Sequence, residues 1–257
     1  MDDKPIKSEI AQSWDNESLY YDECVGHGVK TIEEKQLWKE AFLSVVPDKK
    51  QLSVLDVGCG TGAMGLILSE MGHNVTGIDL SEKMMEIGKE KSRKHGLAMK
   101  FLTGDAEYPP FAEDSFDVLI NRHLLWTLPD PGTALANWYR VLKPEGILMV
   151  IDGVWNDGTL GTQIRRNLSS KIADIFEPRR HGEKGYSDEI KKILPNSGGV
   201  PEQTAQNYFS DVGFVDISIM DLMNIRENQR ERLLWYQKLS AGKNYYLISG
   251  KKSEKTV

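Results

Sequence analysis

Apolar and polar positions along this chain fall into short blocks that predict strands and helices in alternation. Compact apolar runs at residues 54–57, 74–80 and 99–102 are typical of buried strands. Residues 63–71 are apolar on nearly every side, as expected for a helix packed on a sheet. Further strands are predicted at residues 114–122, 147–152, 214–222 and 245–250. Because strands and helices alternate strictly as far as residue 152, the pattern predicts a parallel, doubly wound sheet.

Local capping signals define several helices. Thr31 and Glu34 have the spacing of a capping box, so we predict a helix over residues 32–46. Ser81 is placed to cap a helix that runs to residue 94, and Asp130 to cap one that ends at Pro144. Helices are also predicted over residues 201–212 and 227–238.

Two segments stand outside this alternation. Residues 1–46 are predicted to form an N-terminal helical cap, whose aromatic side chains either pack in the core or close over a ligand. Residues 153–201 are predicted to be an insertion after the fifth strand, with a helical pattern at Ile164, Leu168, Ile172 and Ile175. A connection this long is usually functional, so we expect a lid or a binding surface. Residues 1–257 are expected to make a single domain that includes both segments.

The first strand ends in a loop with glycine at every second position, Gly58, Gly60 and Gly62. Glycine lets the backbone turn sharply and approach a ligand closely at the head of a helix. A tight connection without a ligand is the alternative interpretation. Nicotinamide cofactors are held by a Gly-x-Gly-x-x-Gly turn, so the spacing here argues against an oxidoreductase of that class.

Three consecutive strands end close to an acidic residue: Asp56, Asp79 and Asp105. The carboxyl ends of parallel strands meet at one edge of the sheet, where open α/β folds bind ligands. Asp79 lies where a carboxylate would accept hydrogen bonds from two ribose hydroxyls. Acids after the first and third strands suit a cationic nucleoside with an amino-acid tail better than a pyrophosphate.

Together, these motifs resemble the three cofactor motifs of the class I S-adenosylmethionine-dependent methyltransferases. The chain is similar in particular to the small-molecule "type 11" branch, through residues 54–62, 77–81, 104–106, 116–123 and 140–146. The resemblance covers about residues 21–149. It implies a Rossmann-like, doubly wound seven-stranded sheet, mostly parallel, with one antiparallel strand near the C-terminus. It also implies methyl transfer from S-adenosylmethionine by direct displacement, with S-adenosylhomocysteine as the product.

The resemblance assigns residues to the amino-acid end of this cofactor. Gly58 and Gly60, with Cys59 between them, bring backbone close to that end, and Asp56 would orient the α-amino group. Asn121 at the end of the fourth strand would face the methionine moiety.

The nucleoside end has its own expected partners. Asp79 would bind the ribose. Tyr21, by contrast, would reach from the N-terminal cap to the methionine end of the cofactor. Adenine is expected between apolar side chains and beside the acid and amide that follow the third strand: Leu80, Met84, Asp105 and Ala106.

The acceptor side is less defined. His123 follows the fourth strand and is a candidate general base near neutral pH, with a structural role as the alternative. Candidate walls for an apolar acceptor are Tyr20, His27, Trp126 and Trp155. The basic residues Arg179, Arg180 and His181 either bind an acidic group or form a solvated face. The accepting atom, O, N or C, stays open.

The composition of the chain limits the kinds of partner that it is expected to bind. Hydrophobic residues make up 40% of the chain and charged residues 27%, as in ordinary globular proteins. The net charge of −6 argues against general nucleic-acid binding. Two cysteines indicate neither a disulfide framework nor a metal site. No apolar stretch is long enough to span a membrane, so we expect a cytoplasmic protein. We expect it to be a monomer or a homodimer.

Two other functions remain open alternatives at this point. One is methylation of RNA or protein, although the sequence Asn121-Arg122-His123-Leu124 replaces the Asn/Asp-Pro-Pro-Tyr signature of some amino-group methyltransferases. The other is a non-catalytic protein that binds S-adenosylmethionine. A closed, aromatic-lined cavity beside the cofactor would favour an enzyme.

Overall fold

A computed structural model of the chain describes residues 4–176, 186–240 and 244–254. Its strands are β1 (Ser53–Val57), β2 (Asn74–Asp79), β3 (Lys100–Thr103), β4 (Phe116–Arg122), β5 (Leu142–Val154), β6 (Val215–Asp221) and β7 (Asn244–Lys251). Its helices are α1 (Lys4–Tyr21), α2 (Ile32–Leu43), α3 (Ala63–Glu70), α4 (Glu82–Lys94), α5 (Pro131–Val141), α6 (Leu160–Phe176), α7 (Asp188–Ile193), α8 (Glu202–Val212), α9 (Met223–Glu231) and α10 (Gln237–Ser240).

The described strands form one seven-stranded sheet in the order β3-β2-β1-β4-β5-β7-β6. Neighbours from β3 to β5 pair in parallel, whereas β7 runs antiparallel to both β5 and β6. The predicted Rossmann-like, doubly wound sheet with one antiparallel strand near the C-terminus is therefore confirmed. Because order reverses between β1 and β4, the carboxyl ends of these two strands flank a crevice open to a ligand.

Helices cover both faces of this sheet. One apolar core joins the sheet to α2 and α3 through Trp38, Phe42 and Leu68, and a second joins it to α5 and α8 through Trp138 and Phe209. These side chains are all fully buried. The central strands are apolar on both faces because each face packs against helices.

The predicted helix starts are confirmed at the three caps. Thr31 Oγ1 accepts a hydrogen bond from the Glu34 amide at 3.0 Å, and Ser81 Oγ accepts one from the Met84 amide at 3.2 Å. Asp130 Oδ1 accepts one from the Thr133 amide at 2.9 Å. Each side chain satisfies an amide that has no partner within its helix.

The predicted helix over residues 227–238 is wrong. Helix α9 begins earlier and ends at Glu231, and α10 starts only at Gln237. Buried Glu34 accepts hydrogen bonds from Gln229 Nε2 at 2.8 Å and Arg232 Nη2 at 2.5 Å, which fixes the end of α9 against α2. The apolar residues that suggested a continuous helix include Trp235, which is 64% exposed.

The segment after β5 leaves and rejoins the domain at one point. Val154 and Gly199 form an antiparallel bridge, and the Val200 amide donates to the Gly153 carbonyl at 3.0 Å. Helices α6 and α7 lie between these points. The predicted helix is present as α6, although three of its four predicted apolar positions, Ile164, Leu168 and Ile175, are exposed. The basic residues 179–181 lie outside the described residues.

Helix α1 packs on α4 and on this segment, and not in the two cores that flank the sheet. A small separate cluster is formed by Ile10 of α1 with Tyr186, Ile190 and Leu194 around α7. No helix in the described part of the chain is both long and apolar enough to cross a membrane.

Candidate functional site

Three adjoining cavities lie at the carboxyl edge of the sheet. The strand-edge cavity lies between the ends of β1 to β4 and α1, and its walls include Gly58, Gly60, Asp79, Leu80, Met84, Gly104, Asp105, Ala106, Trp14 and Tyr21. The tail pocket is lined by Tyr21, Asp56, Gly58, Cys59, Thr61, Ala63, Met64 and Arg122. The aromatic cavity lies under the segment after β5, and its walls include Trp14, Trp126, Trp155 and Arg226. Tyr21 belongs to the walls of all three.

The glycine loop takes a conformation that other residues rarely adopt. Gly58 and Gly60 have φ angles of +63° and +51°. A Cβ on Gly58 would lie 2.6 Å from Leu124 Cδ1, which leaves no room for a side chain. The loop therefore exposes bare backbone to both the strand-edge cavity and the tail pocket.

Asp79 is fixed by the loop that it faces. Its Oδ2 accepts from the Gly60 amide at 2.8 Å, and its Oδ1 accepts from the Ser81 amide at 2.8 Å. Burial raises the pKa of this carboxyl, while the backbone hydrogen bonds oppose the shift. Each oxygen keeps a further lone pair for a ligand, so Asp79 can accept two more hydrogen bonds toward the cavity.

Asp56 and Arg122 bring opposite charges to the tail pocket. Asp56 Oδ2 accepts from the Gly65 amide at 2.9 Å, and burial raises the pKa of this carboxyl to about 7. Arg122 Nη2 donates to the His27 carbonyl, while its buried Nη1 has no partner among the described residues. A zwitterionic amino-acid group has the charges to pair with both side chains.

Arg122 was not among the residues expected at the cofactor. Its signal in the sequence is a cation at the last position of β4, where the neighbouring strands end close to acids.

The residues expected around adenine all line the strand-edge cavity: Leu80, Met84, Asp105 and Ala106. The Asp105 carboxylate also pairs with a lysine that no sequence pattern connects to it. Lys7 Nζ of α1 lies 2.7 Å from Asp105 Oδ2 and 2.5 Å from Glu107 Oε2. Helix α1 is thus tied to the cavity wall by ion pairs.

Two of the expected cofactor residues, Cys59 and Asn121, are buried, and only Cys59 reaches a described cavity. Cys59 lines the tail pocket, and burial raises the pKa of its thiol, which keeps it uncharged. Asn121 is fully buried and is absent from the described cavity walls; its Oδ1 and Nδ2 have no hydrogen-bond partner among the described residues.

His123 lies at the junction of the strand-edge and aromatic cavities. Its backbone has a φ of +56°, a left-handed conformation that is unfavourable for a histidine and common at functional sites. Its ring stacks on Tyr245 at 5.4 Å between centroids, with Nε2 3.4 Å from Tyr245 Oη. Burial lowers the pKa of His123 well below its usual value, so the imidazole is neutral at pH 7.

The aromatic cavity has a volume of about 490 Å³. Its walls include the predicted His27, Trp126 and Trp155, together with Trp14, Tyr21, His123, Arg166 and Arg226. Tyr20, also considered as a wall, is 38% exposed and is not part of the described lining. Trp126 and Trp155 meet edge to face at 5.4 Å. The cavity can therefore hold a flat, apolar body between rings.

Metal ligation has no candidate in the part of the chain that the structure describes. No three His, Cys, Asp or Glu side chains are grouped there so as to hold an ion.

Comparison with known proteins places this geometry in context. Residues 55–150 match the model of a family described as a methyltransferase domain. The chain is 34% identical over 221 residues to a demethylmenaquinone methyltransferase of Staphylococcus aureus, covering 85% of this chain and 90% of that protein.

Two solved structures share the fold at low identity. The cyclase SpnF has a TM-score of 0.67 at 18% identity, with 96% of each chain covered. Phosphoethanolamine N-methyltransferase 2 of Haemonchus contortus, solved with phosphomonomethylethanolamine and S-adenosylhomocysteine, has a TM-score of 0.67 at 19% identity. That match covers 96% of this chain and 60% of the other.

Proposed function

Because this chain belongs to the methyltransferase domain family, in the type 11 branch of the class I S-adenosylmethionine-dependent methyltransferases, we propose that its three cavities divide the cofactor and the acceptor between them. The protein is an enzyme that methylates a small-molecule acceptor with S-adenosylmethionine. The strand-edge cavity takes the adenosine, the tail pocket the amino-acid group and the aromatic cavity the acceptor.

One observation supports this division above the others. Tyr21 is in the walls of all three cavities, so the contents of the three meet beside its ring. His123 lines two of them at the same junction. Methyl transfer needs the donor and the nucleophile in line and in contact, which is possible only where such compartments join.

The residues present fit the cofactor by charge. Asp79 offers two carboxylate oxygens to the ribose hydroxyls, Asp56 a carboxylate to the α-ammonium group, and Arg122 its unpartnered Nη1 to the α-carboxylate. The bare backbone at Gly58 and Gly60 allows the sulfur-bearing chain to lie close to the loop.

The cofactor and the residues of the cavity walls have different roles in the reaction. When bound, S-adenosylmethionine supplies an already activated methyl group. The chain's own residues align the acceptor against it, exclude water and receive a proton where the acceptor has one to lose. Burial raises the pKa of Tyr21 to about 12, so its hydroxyl stays protonated. Neutral His123 presents a lone pair for a proton.

The size of the aromatic cavity and the chemistry of its walls indicate the class of acceptor. The relative of 34% identity is named for a demethylated menaquinone, and the walls of the aromatic cavity suit a ring system of that general kind. A volume of about 490 Å³ under α6 admits a small molecule and not a folded RNA or protein. We therefore prefer a small conjugated acceptor to the macromolecular alternatives.

Several features of the cellular setting also belong to this proposal. We place the enzyme in the cytoplasm as a monomer or homodimer, without general affinity for nucleic acid. The net charge of −6 argues against a general affinity for nucleic acid, and the absence of a disulfide between Cys24 and Cys59 fits a reducing compartment.

The proposal is tested by titrating the purified protein with S-adenosylhomocysteine in a calorimeter. The labelled methyl donor is then incubated with the protein and a set of naphthoquinols, phenols and amines. We expect saturable binding and a labelled ring product. Absence of binding at millimolar concentration would refute the cofactor assignment, and binding without transfer to any acceptor class would favour a non-catalytic binding protein.

Cofactor affinity should rise with pH, because Asp56 must ionise to pair with the α-ammonium group. The pKa of its carboxyl is about 7 in the folded protein, above its ordinary value. Below that pKa, affinity for S-adenosylhomocysteine should rise by up to about tenfold per pH unit, and it should level off above it. In the free protein, Asp56 stabilises the fold less as pH rises from its ordinary pKa toward 7.

Calorimetry at pH values from 5.5 to 8.5 measures this dependence. Asp56→Asn should bind weakly with a nearly flat profile, and the exposed control Glu86→Gln should retain the slope. A sloping profile in Asp56→Asn would assign the titration to another group.

Replacing His123 by glutamine should reduce kcat by about tenfold and leave S-adenosylhomocysteine affinity unchanged within about twofold. The effect is modest because a histidine with a lowered pKa is a weak base. Single-turnover kinetics separates this change from product release. His95→Gln, at an exposed position on α4's C-terminal cap, is the control. An unchanged kcat in His123→Gln would return His123 to a structural role.

A further inference from the structure

The aromatic cavity carries positive charge, and the part of its walls that the structure describes holds no carboxylate to balance it. Arg226 of α9 and Arg166 of α6 line it, and its described walls contain no Asp or Glu. Arg226 Nη1 donates to the neutral Gln229 Oε1 at 3.2 Å, and the buried Nε has no partner among the described residues. A guanidinium with so few protein partners in a cavity wall is available to a ligand.

The position of Arg226 is defined by its neighbours. Its guanidinium lies 4.9 Å from the Tyr245 ring centroid. Gly26, with a φ of +92°, also adjoins it, since a Cβ there would lie 2.6 Å from Arg226 Nη1. Gln229 is itself held by Glu34 at 2.8 Å. The structure thus keeps a space for this cation and orients it.

The titratable side chains in the described cavity walls carry no negative charge. The carboxylate of Asp22, whose charge acts on His27, lies outside those walls and pairs with Lys91 Nζ at 2.7 Å. His27 has its pKa lowered to about 4, chiefly by burial and then by Arg122 and Arg226. Burial also lowers the pKa of His123 and raises that of Tyr21 and Tyr245, so all of these side chains are uncharged at pH 7. Burial, and then the charge of Arg122, lower the pKa of Arg226 itself.

We propose that the methyl acceptor carries an oxyanion, either a carboxylate or an ionised phenol or enol, that pairs with Arg226 while its planar body lies among Trp14, Trp126 and Trp155. A neutral acceptor would bury this arginine without a counter-charge, whereas an oxyanion accepts charge-assisted hydrogen bonds from it. Arg166 stands at the rim, where its Nη1 donates to the Trp155 carbonyl at 2.9 Å. This inference rests on the proposed function, which assigns the aromatic cavity to the acceptor.

The test compares charged and neutral aromatic probes of one shape. Protein saturated with S-adenosylhomocysteine is titrated with 1-naphthoate and with 1-naphthamide, and binding is followed by quenching of tryptophan fluorescence. We expect wild type to prefer 1-naphthoate by about tenfold. Arg226→Gln should bind both probes equally, Arg226→Lys should keep part of the preference, and the control Arg230→Gln should keep all of it. A second probe, 4-nitrophenol above and below its own pKa, separates a phenolate preference from a carboxylate preference.

The outcomes distinguish this inference from the proposed function. Failure of S-adenosylhomocysteine to bind would refute the cofactor assignment itself. With that ligand bound, equal affinity for charged and neutral forms of both probes, or no binding of either, would overturn the oxyanion. A preference that survives in folded Arg226→Gln would also overturn it. If Arg226→Gln does not fold, the wild-type preference and Arg226→Lys still decide the question.

Discussion

Replacing Asp79 by alanine is expected to weaken binding of S-adenosylmethionine and S-adenosylhomocysteine by about a hundredfold. The variant loses two charge-assisted hydrogen bonds to the ribose, which together contribute about 3 kcal/mol. It also releases the Gly60 and Ser81 amides, each held at 2.8 Å by this carboxylate, so the loop is less ordered before the cofactor arrives. Isothermal titration calorimetry measures the change in Kd.

Two further variants separate these contributions. Asp79→Asn keeps one acceptor oxygen and should fall between wild type and Asp79→Ala. Glu82→Ala removes an exposed acid from the first turn of α4 and should bind normally. Unaltered affinity in folded Asp79→Ala would remove Asp79 from the ribose site.

Deleting residues 1–30 is expected to lower kcat/KM by at least about a hundredfold. The deletion removes Trp14 and Tyr21, which wall the strand-edge and aromatic cavities, and so it admits water and frees the acceptor to misalign. It also cuts the contacts of Asp15 with Ser81 Oγ at 2.6 Å and of Asp22 with Thr61 Oγ1 at 2.7 Å. Steady-state kinetics and calorimetry measure turnover and cofactor affinity.

The fold should survive this deletion, because no residue of α1 belongs to the two cores that flank the sheet, and Val29, which is also removed, packs only at the edge of one of them. Circular dichroism and thermal unfolding check that expectation. Lys7→Ala combined with Asp15→Ala and Asp22→Ala loosens the same contacts in the full chain and should show a smaller loss in the same direction. The exposed control Ser8→Ala should behave as wild type. Normal activity in the truncated enzyme would show that α1 has no part in closing the site.

The sheet and the cofactor motifs could be predicted because their signals are local. A buried strand is a short apolar run, and a cap is one polar side chain before a helix, as at Ser81 and Asp130. The glycine spacing and the acids at Asp56 and Asp79 lie within one βαβ unit, so the sequence order alone brings them to one edge.

The acceptor side could not be predicted in this way. Arg226 and Gly26 are far apart in sequence, and only the docking of α9 beside the cap places them together. Lys7 is one lysine on a polar helix, with no pattern to connect it to Asp105. The break between α9 and α10 depends on Glu34, a buried partner in a distant helix, and local periodicity carries no information about it.

The bridge between Val154 and Gly199 makes the segment that it closes an exchangeable module. Exchange of everything between those two residues would leave β5 and α8 joined as before, but the new segment would still have to offer Ile10 of α1 an apolar surface. New acceptor walls can therefore arise in one stretch of gene only if they keep that contact, because α1 also walls the nucleoside cavity.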